Sequence, residues 1–407
     1  MMPALSPPVR FDSNVMAERL SIIIVLNGLG VGGAERQVLA LLPALMERGH
    51  RVALVTINDD MRLEAGLPSG VKHYPLHAKK WSGFARVIFD FWKIVRRERP
   101  NIIHGHLFQA NLLSRIGKMY DRRIRVINTS HCSYPLERLR YDPYLIYGWT
   151  KRLVDWHTAV SHPALVELRA RRSISPERSC LLFNAIDVDR YKLARPGCDP
   201  VRNSATRVFR WIAVGRLSPV KNYGLLLQAV SALNRDGCRL TLDVAGEGAQ
   251  LAELQRHVSE YGLDQSVRFL GLVHDVPSRL AAYDGYVISS DNEALPMALL
   301  EAMAAGLPVV GTRVGEIARL LERSKGGITV EPGNATELAC ALAAVMRLNT
   351  SELVGMGMRN RALVGSTFGI ARIVAAWERI YLRAHMAGNK ALNLSEQRGV
   401  ATDLQSD

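Results

Sequence analysis

Apolar residues along this chain gather in short runs separated by longer stretches of helical periodicity. The runs lie at Ser21–Leu26 (SIIIVL), 51–57, 101–106, 126–130, 156–160, Phe209–Val214, Leu240–Ala245, 267–270 and 281–288, with another starting at Val309. Each has the length and composition of a strand buried on both faces, as in a parallel sheet. The stretches between them carry amphipathic helices ended by glycine, as at Gly49 and Gly306. Strand–helix alternation continuing to about Leu348 predicts an α/β protein with doubly wound sheets. A Pro-, Gly- and Asn-punctuated stretch at 196–204 divides it. The expected parts are a flexible leader over 1–20, a Rossmann-like domain over 21–195 and a second over 205–367. Beyond them, 370–385 aligns Ile373, Val374, Trp377 and Ile380 on one helical face, predicting a helix over 368–388. The polar residues from 389 to 407 predict a disordered tail.

Composition supports two ordinary globular domains: 407 residues, 48% hydrophobic and 22% charged. Five scattered cysteines without CxxC spacing indicate neither a disulfide framework nor a zinc site, and fit a reducing cytoplasm. No apolar run approaches a membrane span, and Arg10, Asp12, Glu18 and Arg19 make the N-terminus too charged for a signal peptide.

Charge changes the picture more. Residues 1–190 hold 28 Lys and Arg against 17 Asp and Glu, a net of +11; the remainder holds 24 against 21. A basic first half implies an anionic partner. The candidates are a membrane surface, nucleic acid or a phosphorylated substrate; no zinc-finger, RNP-like or heptad pattern supports nucleic acid, and a membrane surface is the better reading. The 81–99 segment sets Phe84, Val87, Ile88, Phe91, Trp92 and Val95 on one side and Arg86, Lys93, Arg96, Arg97 and Arg99 elsewhere. Such a helix suits lipid head groups, or equally a sheet-packing helix with a solvated basic face.

The candidate chemistry clusters at strand-to-helix turns. After the run at 281–288, Glu293 precedes Pro296 and an alanine- and leucine-rich helix that contains Glu301. Free amides at a helix start make an anion site between these carboxylates; alternatively Glu293 is a helix-start acid and Glu301 a solvated face residue. Gly32 and Gly33 after the first strand allow close backbone approach to a ligand, without the GxGxxG spacing of a dinucleotide site. Arg216 and Lys221, in the turn after Phe209–Val214, can both reach one diphosphate, or be solvated loop cations. His104, His106 and His131 stand at strand ends, where doubly wound sheets bind ligands.

Several of these elements together resemble the retaining glycosyltransferases of family 4, which have the GT-B fold. The resemblance spans about Ile22 to Met386. It rests on Glu293 and Glu301 as an E-x7-E signature in SDNEALPMALLEAMAAGLPVV, on GGAE at 32–35, on GRLSPVKN around Arg216 and Lys221, and on His131 in VINTSHCS. Ala294 and Ala185 replace glycines usual in the family. The resemblance implies two Rossmann-like domains facing across a cleft, with the C-terminal helix crossing back to the first. It implies transfer of a hexosyl unit from a nucleotide diphosphate sugar, UDP-linked before GDP-linked, to a glycan or polyprenyl-diphosphate-linked acceptor in cell-surface polysaccharide synthesis. Arg216 and Lys221 would meet the leaving diphosphate, and Glu301 the ribose. Glu293 and His131 would hold the donor sugar, and Gly32, Gly33, Gly246, Leu295 and Met297 would line the donor site. His106 and Tyr134 would face the acceptor. The implied enzyme needs no metal or cofactor and works in the cytoplasm at the inner membrane face. Rival readings are a nucleotide-sugar epimerase, a phosphorylase, or a non-catalytic nucleotide-sugar-binding protein.

Overall fold

The computed structural model describes residues 18–78, 84–131, 142–194, 208–273 and 275–403, with Phe84 and 388–403 as backbone alone. Most of the expected leader, the 196–204 stretch, Trp81 and Tyr134 lie outside the described residues.

The first half begins with β1 (Ser21–Leu26), α1 (Gly33–Glu47), β2 (Arg51–Thr56) and β3 (Lys72–Pro75). It continues through α2 (Phe84–Glu98), β4 (Ile102–His106), α3 (Phe108–Tyr120), β5 (Arg125–Ser130), α4 (Pro143–Thr150), β6 (Trp156–Ala159), α5 (His162–Ala170) and β7 (Ser179–Leu181). These strands form one parallel sheet in the order β3-β2-β1-β4-β5-β6-β7. All six residues of β1 are buried, because helices cover both faces of the sheet.

The second half runs β8 (Phe209–Val214), α6 (Tyr223–Arg235), β9 (Leu240–Ala245), α7 (Leu251–Glu260), β10 (Val267–Gly271), α8 (Val276–Leu280), β11 (Gly285–Ile288) and α9 (Met297–Ala304). It closes with β12 (Val309–Thr312), α10 (Ile317–Ser324), β13 (Gly327–Val330), α11 (Ala335–Met346) and α12 (Thr350–Phe368). The second parallel sheet is ordered β10-β9-β8-β11-β12-β13. Each sheet reverses its winding at its first strand, between β1 and β4 and between β8 and β11. Those switch points are where loops part and leave a crevice.

The last helix, α13 (Ile370–Asp403), returns to the first half. Ile373, Val374, Trp377, Tyr381 and Ala384 join the core built by β1, β2 and α1. Burying one such aromatic contributes on the order of 2–3 kcal/mol, so the two halves are tied by the fold as well as by the chain. The helix extends through residues expected to be a disordered tail. Ala391, Leu392, Leu394, Glu396 and Gln397 are good helix formers, and no proline interrupts them.

α2 turns its apolar stripe inward. Phe91 and Val95 are buried against β1 and β2, with Val87, Trp92 and Ile94 packed beside them. The stripe faces the sheet, and the basic residues form the outer surface. Among the described residues no single helix is long and apolar enough to cross a membrane.

Candidate active site

The carboxyl ends of the two sheets meet across the crevice, and the glycine loop comes close to α9. A Cβ on Gly33 would lie 3.3 Å from Met297 Cγ, the first residue of α9. Gly32 caps α1 in an extended conformation, so α1 and α9 point their N-termini at the same space. Unpaired amides at such ends favour an anion. Pro296 takes the cap position of α9 rather than its first turn.

On the second-domain side the charged groups are paired. Lys221 Nζ donates to Glu293 Oε1, which also accepts from Ser290 Oγ at 2.8 Å. Glu293 Oε2 has no protein partner among the described residues. Lys221 is set by a short turn in which Asn222 adopts a left-handed conformation (φ 46°) and caps α6 through Leu225 N. Ser289 Oγ donates to the Lys221 carbonyl at 3.0 Å, tying this turn to the end of β11. Gly315 lies beneath Glu293 with φ +55°; a Cβ there would sit 2.1 Å from the Glu293 carbonyl, so only glycine fits.

Glu301 is the fifth residue of α9, and its side chain is 5% exposed. It is no solvated face residue. Arg36 of α1 reaches across the crevice to its Oε1 at 3.1 Å. Burial and the neighbouring Glu301 carboxylate push the Tyr191 hydroxyl above its usual range. A second crossing joins His162, at the start of α5, to the buried Glu316 by Nδ1 at 3.1 Å and by its backbone amide at 2.7 Å.

Arg216 is exposed at the mouth. It faces Glu35, whose carboxyl is raised by burial against the opposing pulls of a backbone amide and of Arg216. The 246–248 loop passes just behind: Gly246 has φ +152°, and a Cβ would lie 1.9 Å from the Gly215 carbonyl. Leu295 is buried beside Met297.

On the first-domain side, His104 and His106 end β4 and His131 follows β5. His104 Nδ1 meets Tyr381 Oη at 2.8 Å, and its Nε2 meets Thr129 Oγ1 at 2.8 Å. His106 Nδ1 lies 2.9 Å from His131 Nε2. Trp377 stacks near both, with ring centroids 4.5 Å from His104 and 6.4 Å from His106. Burial lowers all three imidazoles, that of His131 to about 4, so they are neutral at pH 7.

The structure therefore gathers Gly32, Gly33, Leu295, Met297, Glu293, Glu301, Lys221, Arg216 and Gly246 around one crevice, and sets His131 after the carboxyl end of β5 on the first-domain side. His106 sits a layer deeper than an acceptor contact requires: it is 1% exposed, behind His131. Sequence reasoning missed Arg36, Ser290, Tyr191 and the His162–Glu316 pair, all long-range partners except Ser290. Arg36 had one available signal, its place directly after the glycine loop. Among the described residues no cluster of three or more His, Cys, Asp or Glu is placed to share a metal.

Known proteins share this fold. The model described as "Glycosyltransferase Family 4" matches residues 31–190, and that described as "Glycosyl transferases group 1" matches 209–347. The chain is 26% identical over 372 residues to the N-acetyl-alpha-D-glucosaminyl L-malate synthase of Bacillus anthracis, covering 88% of this chain and 94% of that one. It is 26% identical over 337 residues to an N-acetylgalactosamine-N,N'-diacetylbacillosaminyl-diphospho-undecaprenol 4-alpha-N-acetylgalactosaminyltransferase of Campylobacter jejuni, covering 79% and 89%. Among solved structures, Anabaena Alr3699/HepE in complex with UDP and glucose superposes with a TM-score of 0.76 at 19% identity, covering 89% of this chain and 99% of that one.

Proposed function

This chain belongs to the family-4 glycosyltransferases and has their GT-B fold, and on that premise we propose that it moves a hexosyl unit, with retention, from a UDP-sugar to a polyprenyl-diphosphate-linked glycan. One observation carries the reading: Glu293 and Glu301, with Lys221 and Arg36 on them, flank the start of α9 opposite the glycine loop. The relatives' names support the substrate class, since the Campylobacter enzyme acts on a diphospho-undecaprenol-linked sugar and HepE binds UDP and glucose.

In this reading the diphosphate lies between the amides of α1 and α9. Breaking the bond from the anomeric carbon leaves negative charge on the diphosphate. Lys221 and Arg216 meet that charge as it develops, in a site from which domain contact excludes water. No divalent ion is needed, because these cations and the two helix starts carry the positive potential. Glu301 accepts from the ribose hydroxyls while Arg36 holds its other side. Glu293 Oε2 accepts from the donor sugar, and His131 contacts that sugar from the opposite domain.

The acceptor's lipid fits the outer face of the first domain. Trp149 is 81% exposed, and Phe89, Met119, Tyr120 and Leu145 are also exposed. Lys93 lies over the Phe89 ring at 4.3 Å. Apolar side chains among cations are what an anionic membrane surface binds. Anionic vesicles should retain the protein at low salt and release it as salt rises; absence of binding at low salt removes the membrane part.

The test of the reaction is incubation with UDP- and GDP-sugars, a short-chain polyprenyl-diphosphate GlcNAc acceptor, and EDTA. Transfer with the donor's anomeric configuration supports the proposal. An inverted product, a strict requirement for magnesium, or a new sugar nucleotide formed without acceptor overturns it.

A further inference from the structure

His106 and His131 share one hydrogen bond, and the surroundings decide which ring donates. Both rings are neutral, so each carries one N–H, and only one proton lies between His106 Nδ1 and His131 Nε2 at 2.9 Å. The other nitrogen of His106, Nε2, is buried and has no partner. That ring is packed against His104, with centroids 4.0 Å apart, and against Trp377. His104 cannot serve it, because both His104 nitrogens are occupied by Tyr381 and Thr129.

The two arrangements differ at that orphan atom. If His106 donates from Nδ1, its Nε2 is a bare lone pair inside the fold. If His131 donates, His106 must place its proton on Nε2, leaving a buried N–H with no acceptor. Buried, unpartnered N–H groups are the rarer and costlier defect. We propose that His106 is a positioning residue that donates from Nδ1 to His131 Nε2 and so fixes His131 as its Nδ1–H tautomer.

His131 then presents a donor, not an acceptor, through Nδ1, which meets no described side chain. Given the proposed function, that N–H faces an oxygen of the donor sugar. It favours a hydroxyl, acetamido carbonyl or carboxylate there and disfavours an ammonium, which has no lone pair to offer. His106 thus acts on sugar choice without touching the sugar. The crossover helix takes part, since Trp377 and Tyr381 hold His104 and His106 in register.

Nitrogen-15 spectra of the full chain labelled at histidine read the tautomer directly, with His131→Gln and His106→Leu used to assign the signals. The expected spectrum shows His131 with Nδ1 protonated and Nε2 bare, in the absence of any substrate. A protonated His131 Nε2 overturns the proposal, whether or not the chain proves to be a glycosyltransferase. The second arm compares His106→Asn, whose amide nitrogen reaches the Nδ1 position, with His106→Leu. The asparagine variant should keep the His131 tautomer and the donor KM. The leucine variant should lose the tautomer preference and raise donor KM roughly tenfold with little change in kcat, the loss of about one hydrogen bond. An equal KM rise in both variants with an unchanged His131 tautomer would also overturn it.

Discussion

On the second-domain side of the crevice Lys221 meets Glu293, and Arg36 reaches over to Glu301; on the first-domain side His104 and His106 pack, uncharged, against Trp377, and His131 is bonded to His106. The same sheet-edge geometry thus serves two kinds of electrostatics. In the proposed reaction the paired ions hold and release a diphosphate, because charge there can be redistributed among groups already in place. The neutral imidazoles would orient a sugar, where direction matters more than field. The two sides meet at α9, where Arg36 reaches Glu301 and Gly33 lies beside Met297.

The sharpest way to break this comparison is to remove charge on one side and a hydrogen bond on the other. Lys221→Ala should lower kcat about 10²–10³-fold at saturating donor, the usual cost of losing one group aimed at developing charge, whereas His131→Ala should act mainly on donor KM. A lysine variant that keeps its turnover would erase the distinction. Next in size, Glu301→Ala should weaken nucleotide binding about 10–100-fold with a smaller effect on kcat, read by calorimetry and steady-state rates. Arg36→Ala should weaken it less, about tenfold, because the carboxylate remains; it should also cost stability by leaving Glu301 buried without its cation.

The smallest expected effect concerns acid. His131 and His157 have folded-state values lowered to about 4 and about 3 by burial, and those of His104 and His106 are also lowered. The unfolded chain therefore binds more protons than the folded one below about pH 6.5, and stability is lost as pH falls from there toward 4. All four histidines lie in the first domain, so that half should melt first in a calorimetric scan near pH 5. Preferential loss of the second domain would contradict the burial argument.

Much of this was legible in the sequence, for identifiable reasons. Ser21–Leu26, Phe209–Val214 and Leu240–Ala245 are rich in apolar residues and begin and end where the runs do, since both faces of each strand are largely covered. The short edge strand Lys72–Pro75 has no such run, because one flank lies at the rim of the sheet, and it was not foreseen. Spacing at 293 and 301 and at 216 and 221 raised these candidates but left solvated readings open, and the family resemblance of their motifs decided between them. Their partners had no such signal. Arg36 lies 265 residues from Glu301, and His162 lies 154 from Glu316, distances over which no periodic pattern carries information. His106 was assigned to an acceptor for the same reason: nothing local reveals that β4 and β5 pair in a register that sets it behind His131.

The proposed function requires a nucleoside diphosphate held between the glycine loop and α9. Calorimetric titration of UDP and GDP, in EDTA, into the wild-type protein and Glu301→Ala tests this most directly. The expected result is one site per chain, a preference for UDP, and an affinity loss of at least roughly tenfold in the variant. Absence of binding by either diphosphate, or equal affinity in the two proteins, would contradict it.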